Sequence, residues 1–192
     1  MKVLKIALAV LVFAGAAYPQ TKDLGMGAFS NESGAILMAV DASLVNQSID
    51  TPYAMFVLFM AANDKGASLT VAAKDVVMVY KGTEYHMPSL SELREDYSGG
   101  IRDLDFYRKL GKEGLISSWV RLYQFPEKAN FFPPLTLRST LAVTEGHMSG
   151  FYGFITPIYF KNPGFAKGDT LTIKVKDVKD PSITGECDVV LK

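Results

Sequence analysis

Pro52-Tyr53-Ala54-Met55-Phe56-Val57-Leu58-Phe59-Met60-Ala61-Ala62 decides the fold. The stretch carries no charge and ends at Asn63-Asp64-Lys65-Gly66, a cluster of turn formers. A run this apolar is either a buried helix or a strand covered on both faces, because periodicity does not separate the two. The aromatics, the proline at its start and the tight turn at its end favour a central strand.

Strands extend on either side of it. Residues 35–45 are apolar with interruptions at Asp41 and Ser43, and residues 68–73 and 75–80 come after the turn. Lys81-Gly82 then leads into residues 83–87; glycine in so short a connector supplies positive φ, which predicts a hairpin. Residues 115–125 read as a strand, with Ile116, Ser118, Val120 and Leu122 on one face and Trp119, Arg121 and Tyr123 on the other. Asn130-Phe131-Phe132-Pro133-Pro134 is a loop, since paired prolines cannot join a ladder. Residues 135–143 and 151–160 are further strands, separated by Glu145-Gly146-His147. In residues 170–178, Leu171, Ile173 and Val175 alternate with Thr172, Lys174 and Lys176, which marks a strand with one wet face. Asp180-Pro181 turns the chain, and residues 183–191 close it.

One interval breaks the pattern. Ser89-Leu90-Ser91-Glu92 is a capping box, in which serine and glutamate side chains each satisfy the other's backbone amide. A second amphipathic stretch covers residues 101–110 after Ser98-Gly99-Gly100. The expected fold is a mainly β, antiparallel immunoglobulin-like sandwich with a two-helix insertion at residues 89–110. Gly168-Asp169-Thr170-Leu171-Thr172-Ile173, the turn at Asp180-Pro181 and the last strand look like the final hairpin of such a sandwich. With Ala61-Ala62-Asn63, Leu69-Thr70-Val71 and the Lys81-Gly82 hairpin, they make the chain resemble telokin-like, immunoglobulin-type sandwiches of secreted bacterial proteins of unknown function. That resemblance implies an accessory or binding domain without catalysis and supplies no functional residues.

The start of the chain gives an address. Lys2 and Lys5, the apolar run from Ile6 to Phe13 and Ala14-Gly15-Ala16-Ala17 have the charge–apolar–small order of a secretory signal peptide. The apolar segment is shorter than the roughly 20 residues a spanning helix needs. The expected organisation is a signal at residues 1–17, a flexible lead at residues 18–33 and one domain at residues 34–192. The product is then periplasmic or extracellular, and does not span a membrane once the signal is removed.

The sequence has 20 basic and 20 acidic residues; the signal takes two lysines, leaving 18 against 20, a net of −2. Such a chain has no general attraction for nucleic acid. The single cysteine, Cys187, forms no intramolecular disulfide and reads as a buried small hydrophobe. His86 and His147 belong to no metal-ligand spacing, and no phosphate-cradling glycine loop or Gly-x-Ser-x-Gly elbow occurs, so no metal or cofactor is expected.

Two sets of residues remain as candidates. Phe131 and Phe132 lie in a loop, where aromatics are free to stack on sugars or anchor protein partners, and Trp119 is the lone tryptophan. Asp103 and Asp105 sit in the densest charge cluster, and a carboxylate pair is the machinery of glycoside hydrolysis. The leading expectation is an exported, non-enzymatic binding or accessory domain for an unknown protein or glycan. The alternatives are a secreted polysaccharide hydrolase and, on strand number, an eight-stranded outer-membrane barrel.

Overall fold

The computed structural model describes residues 21–97, 100–129, 131–133 and 141–192. The expected signal peptide lies outside these residues, as does most of the strand expected at residues 135–143. In chain order the strands are β1 (Lys22–Gly25), β2 (Ala28–Asn31), β3 (Ile36–Asp41), β4 (Tyr53–Ala62), β5 (Ser68–Ala72), β6 (Val77–Tyr80), β7 (Thr83–His86), β8 (Gln124–Lys128), β9 (Glu145–Ser149), β10 (Tyr152–Lys161), β11 (Thr170–Lys176) and β12 (Thr184–Val190). The helices are α1 (Ser43–Gln47), α2 (Leu90–Asp96), α3 (Gly100–Lys109) and α4 (Lys112–Trp119).

The strands make two sheets. One runs β1-β2-β3-β4-β10-β9-β5, with β8 also pairing β10; the other runs β12-β11-β6-β7. Pairing is antiparallel except for β8, which lies parallel to β10. The chain is mainly β, and the sheets share one core.

The apolar run at β4 is explained by its place in the middle. Met60 pairs with Met38 on one side and with Phe154 on the other, so these three share a face. That face meets the second sheet: a Cβ at Gly185 of β12 would lie 2.9 Å from Met38 Sδ. The opposite face of β4 is covered by the helices and β8. Tyr53 packs on Tyr97 after α2 at 5.5 Å, Phe59 on Phe125 at 5.4 Å, and Ala61 joins Leu37, Val120 and Tyr123 in a small cluster. All ten β4 residues are therefore buried. Burying each large side chain contributes about 1.5–3 kcal/mol, so a polar residue on either face would be selected against.

The capping box forms as the sequence predicts. Glu92 N–H donates to Ser89 Oγ at 3.2 Å, and Ser89 N–H donates to Glu92 Oε2 at 2.8 Å. The insertion, however, has three helices and continues to Trp119. The single strand expected at residues 115–125 does not form; α4 occupies the first part and β8 begins only at Gln124. The alternation there arises by chance. Ser117 and Ser118 turn their hydroxyls back onto the carbonyls of Glu113 and Leu115, and Ile116 is the buried anchor of the helix. Gly111, at φ 61°, makes the break between α3 and α4.

Three other expectations change. The flexible lead contains β1 and β2, joined by a turn in which Gly25, Met26 and Gly27 all have positive φ. It is pinned by Phe29 in the core and by Asn31, whose side-chain amide donates to the Glu186 carbonyl of β12 at 2.8 Å. The strand expected at residues 35–45 ends at Asp41 and gives way to α1. Glu145-Gly146-His147, expected as a separator, belongs to β9, while residues 141–144 have no regular structure. Among the described residues, no helix is long and apolar enough to cross a membrane.

The first sheet splits at one place. β9 and β10 pair only at Ser149 and Tyr152, beside their turn; β9 then leaves β10 and pairs along its full length with β5. β8 takes up the vacated edge of β10. Gly146 is required where β9 crosses over β10, since a Cβ there would lie 2.1 Å from the Phe154 ring.

Candidate ligand cleft

The β5–β9 pair has one apolar face and one polar face. Leu69, Val71 and Met148 are buried, as is Gly146. On the other face Ser68 stands opposite Ser149 and Thr70 opposite His147, with Glu145 at the far end of β9. Thr70 Oγ1 and His147 Nδ1 are 3.0 Å apart, which ties the imidazole to the strand and leaves Nε2 outside this bond.

The polar face floors a cleft of about 380 Å³ in the gap opened where β9 leaves β10. Pro126 of β8, Tyr152 and Gly153 of β10, and Val178 and Lys179 beyond β11 complete its walls. A second cleft, of about 390 Å³, shares Tyr152 with the first. It is lined by Lys65, Leu122, Gln124 and the β9–β10 turn at Ser149, Gly150, Phe151 and Tyr152. Both volumes fall in the range of small-ligand sites. Ser149 and Tyr152 belong to both clefts, and Tyr152 is 54% exposed.

The walls are held by hydrogen bonds. Asp177, buried after β11, accepts the Thr70 amide on Oδ1 at 2.7 Å and the Lys179 and Asp180 amides on Oδ2 at 2.9 and 2.8 Å. The Val178 amide donates to the Thr70 carbonyl at 2.8 Å. Burial on its own would raise the Asp177 carboxyl; the three amides and the Lys179 ammonium outweigh it and hold the group below the ordinary carboxylate value. The second cleft is braced by Gly150 N–H on the Ala67 carbonyl at 2.8 Å and Gln124 N–H on the Phe151 carbonyl at 2.9 Å. Beneath it Tyr123 packs edge-on to Phe151 at 5.7 Å and bonds Asn63; burial first, then the charge of Glu32, push its phenol up to about 12. Gly153 is needed where β10 meets β4, because a Cβ would fall 1.8 Å from the Met60 carbonyl oxygen. The exposed ring of Tyr152 thus stands on closely fitted backbone.

The residues singled out from the sequence lie elsewhere. Phe131 and Phe132 are 3% and 5% exposed, which corrects the expectation that their loop presents them to solvent. Phe131 packs edge-on to Phe154 at 5.9 Å and Phe132 to Tyr159 at 5.2 Å, so they complete the core. Trp119 ends α4, half-buried against that core. Asp103 accepts a hydrogen bond from the Tyr97 hydroxyl at 2.7 Å, which ties α3 to the end of α2 within the insertion, while Asp96 accepts one from Tyr53 of β4 at 3.2 Å, which docks the insertion on the sheet. Asp103 borders a hollow of about 30 Å³, too small to hold a sugar. Asp105 lies two residues further along α3, its side chain outside the described residues.

Cys187 is a free buried thiol, and burial pushes its pKa up, away from nucleophile chemistry. His86 is exposed beside Glu84, with Nε2 and Oε1 3.6 Å apart. Among the described residues no group of three His, Cys, Asp or Glu side chains is placed to hold a metal. Sequence reasoning misses the cleft residues because Glu145-Gly146-His147 has the composition of a turn. The usable signal is the alternation Glu145-Gly146-His147-Met148-Ser149, whose polar members all face outward. No protein family, curated protein or solved structure matches the chain.

Proposed function

We propose that this protein is an exported, non-enzymatic binding module, acting in the periplasm or outside the cell, whose site is the paired cleft around Tyr152. Its ligand is polyhydroxylated, a glycan by chemical class. The observation that carries this reading is the exposed Tyr152 side chain, which lines two adjoining clefts. An aromatic face offers an apolar platform to the C–H face of a sugar, and its rigid backbone keeps the entropy cost of binding low. Around it, Ser68, Ser149, His147 and Gln124 supply the mix of donors and acceptors that sugar hydroxyls require. Export rests on the charge–apolar–small order of residues 1–17.

A non-enzymatic role is favoured over a hydrolase acting through Asp103 and Asp105, because Asp103 is engaged with Tyr97 beside a hollow too small for a substrate. The test is a glycan array followed by titration calorimetry with the native chain and Tyr152→Ala. Truncating a central aromatic typically costs about 2 kcal/mol or more, so affinity is expected to fall about thirtyfold. Undiminished glycan binding by a folded Tyr152→Ala protein, or no glycan bound by the native chain, would reject the reading.

A further inference from the structure

Resting on that binding reading, we infer that the ligand is an extended polyanionic glycan, a chain bearing carboxylates on successive sugars, lying across both clefts with Tyr152 between its charged units. The first observation is geometric. The two clefts share Ser149 and Tyr152, so a ligand filling both must cross the β9–β10 turn, which suits a linear chain better than a compact molecule.

The second observation is charge. Each cleft holds one lysine: Lys179 in the first and Lys65 in the second. Lys81, Lys174, Lys176 and Lys192 are matched to Asp169, Glu186, Asp75 and Asp23, whereas Lys22, Lys74 and Lys167 form no salt bridge among the described residues. Neither cleft lysine has such a salt bridge among the described residues. Lys179 acts on Asp177 through space and helps lower its pKa, without a salt bridge between the two among the described residues. One cation in each of two clefts that share Tyr152 suits anions repeated along one chain.

The third observation sets a boundary. Glu145 lies four residues from Ser149 at the far end of β9, roughly 13 Å away at strand spacing. Its carboxylate closes that end of the first cleft to an anionic chain and directs it toward Tyr152 and Lys65.

The test is calorimetry of the full chain with oligogalacturonate and oligomannuronate of increasing length, and with the methyl-esterified oligogalacturonates, which keep the backbone and lose the charge. Affinity is expected to rise from dimer to hexamer, to fall on esterification and to fall with added salt. Lys65→Gln and Lys179→Gln should each weaken the hexamer about two- to fivefold, as exposed ion pairs do, and Glu145→Gln should strengthen it by a similar factor. Equal affinity for charged and esterified chains, with the lysine variants unchanged and Tyr152→Ala still defective, overturns the polyanion inference and leaves the binding module standing. Tighter binding of oligothymidylate than of any uronate overturns it in favour of nucleic acid. Failure of every charged and neutral oligosaccharide overturns both.

Discussion

Replacing Asp177 with asparagine tests whether one buried carboxylate builds the cleft wall. Its two oxygens accept three backbone amides, from Thr70, Lys179 and Asp180, at 2.7–2.9 Å. An asparagine has one acceptor oxygen. If that oxygen keeps the Lys179 and Asp180 amides, its NH2 group faces the Thr70 amide, donor against donor. A hydrogen bond to a charged group is worth about 1.5–3 kcal/mol net, so losing one and reducing two to neutral strength costs about 3 kcal/mol. For a chain of this size that lowers Tm by about 6–12 °C.

The pH dependence gives an independent check. The folded-state pKa of Asp177 is held below the ordinary aspartate value by its three amides and Lys179. Its contribution is therefore fully present above the unfolded value and is lost as pH falls through the lower, folded one. The gap between native and Asp177→Asn stabilities should be constant from neutral pH to about pH 4 and should shrink below that. Urea melts at a series of pH values measure it. Amide exchange at Thr70 should quicken most in the variant, since its acceptor oxygen is replaced by a donor, while Lys179 and Asp180 keep a weaker, neutral acceptor. A variant within about 0.5 kcal/mol of native, the scatter of ordinary surface substitutions, would refute the reasoning, as would a gap that stays constant at acid pH.

Phe131→Ala and Phe132→Ala should each destabilise by about 3–5 kcal/mol in urea melts, since both rings lie in the core, while the folded fraction keeps its glycan affinity. Gly153→Ala should cost more than a typical overpacking change of about 1–3 kcal/mol, because its Cβ meets the Met60 carbonyl of the adjacent strand at 1.8 Å and backbone there has nowhere to go. A soluble, native-like Gly153→Ala protein with unchanged Tm would show that β4 and β10 are less tightly seated than described. Tyr152→Ala should shift stability by no more than about 0.5 kcal/mol by thermal denaturation, as expected of an exposed ring.

The elements legible in the sequence are those whose physics is local or saturated. β4 is apolar at every position because two layers cover it, and its pattern needs no partner to be recognised. β11 alternates because one face is wet, and the β6–β7 hairpin is marked by Lys81-Gly82, both at positive φ. The capping box at Ser89 and Glu92 is a matter of four residues. The failures have a common cause in context. β1 and β2 are four residues each, too short for a period, and are held by a buried ring and by an amide reaching Glu186 far along the chain. Helix α4 carries a two-residue alternation that its own serine hydroxyls override. Phe131 and Phe132 look like surface residues in sequence because they flank prolines, whereas the gap beside β10 draws them inward.

The cleft is hidden in the sequence for the same reason, and its origin links the fold to the proposed function. A sheet sandwiched between a second sheet and a helical layer has both faces covered, as β3 and β4 show by burying every residue. A ligand site then needs a place where the layers part. Here it arises because β9 leaves β10 after a single paired position and joins β5, while β8 enters in parallel along the exposed edge. The departure turns Ser68, His147 and Ser149 on the outer face of β5–β9 to solvent, over the buried Thr70, and leaves Tyr152 at the fork. Three glycines make the fork possible: Gly146 lies over the Phe154 ring, Gly150 turns at φ 58°, and Gly153 seats β10 against β4. In sequence these residues look like turn punctuation. In the fold they let one strand part from its neighbour without loss of the core beneath, and the clefts open where it does so.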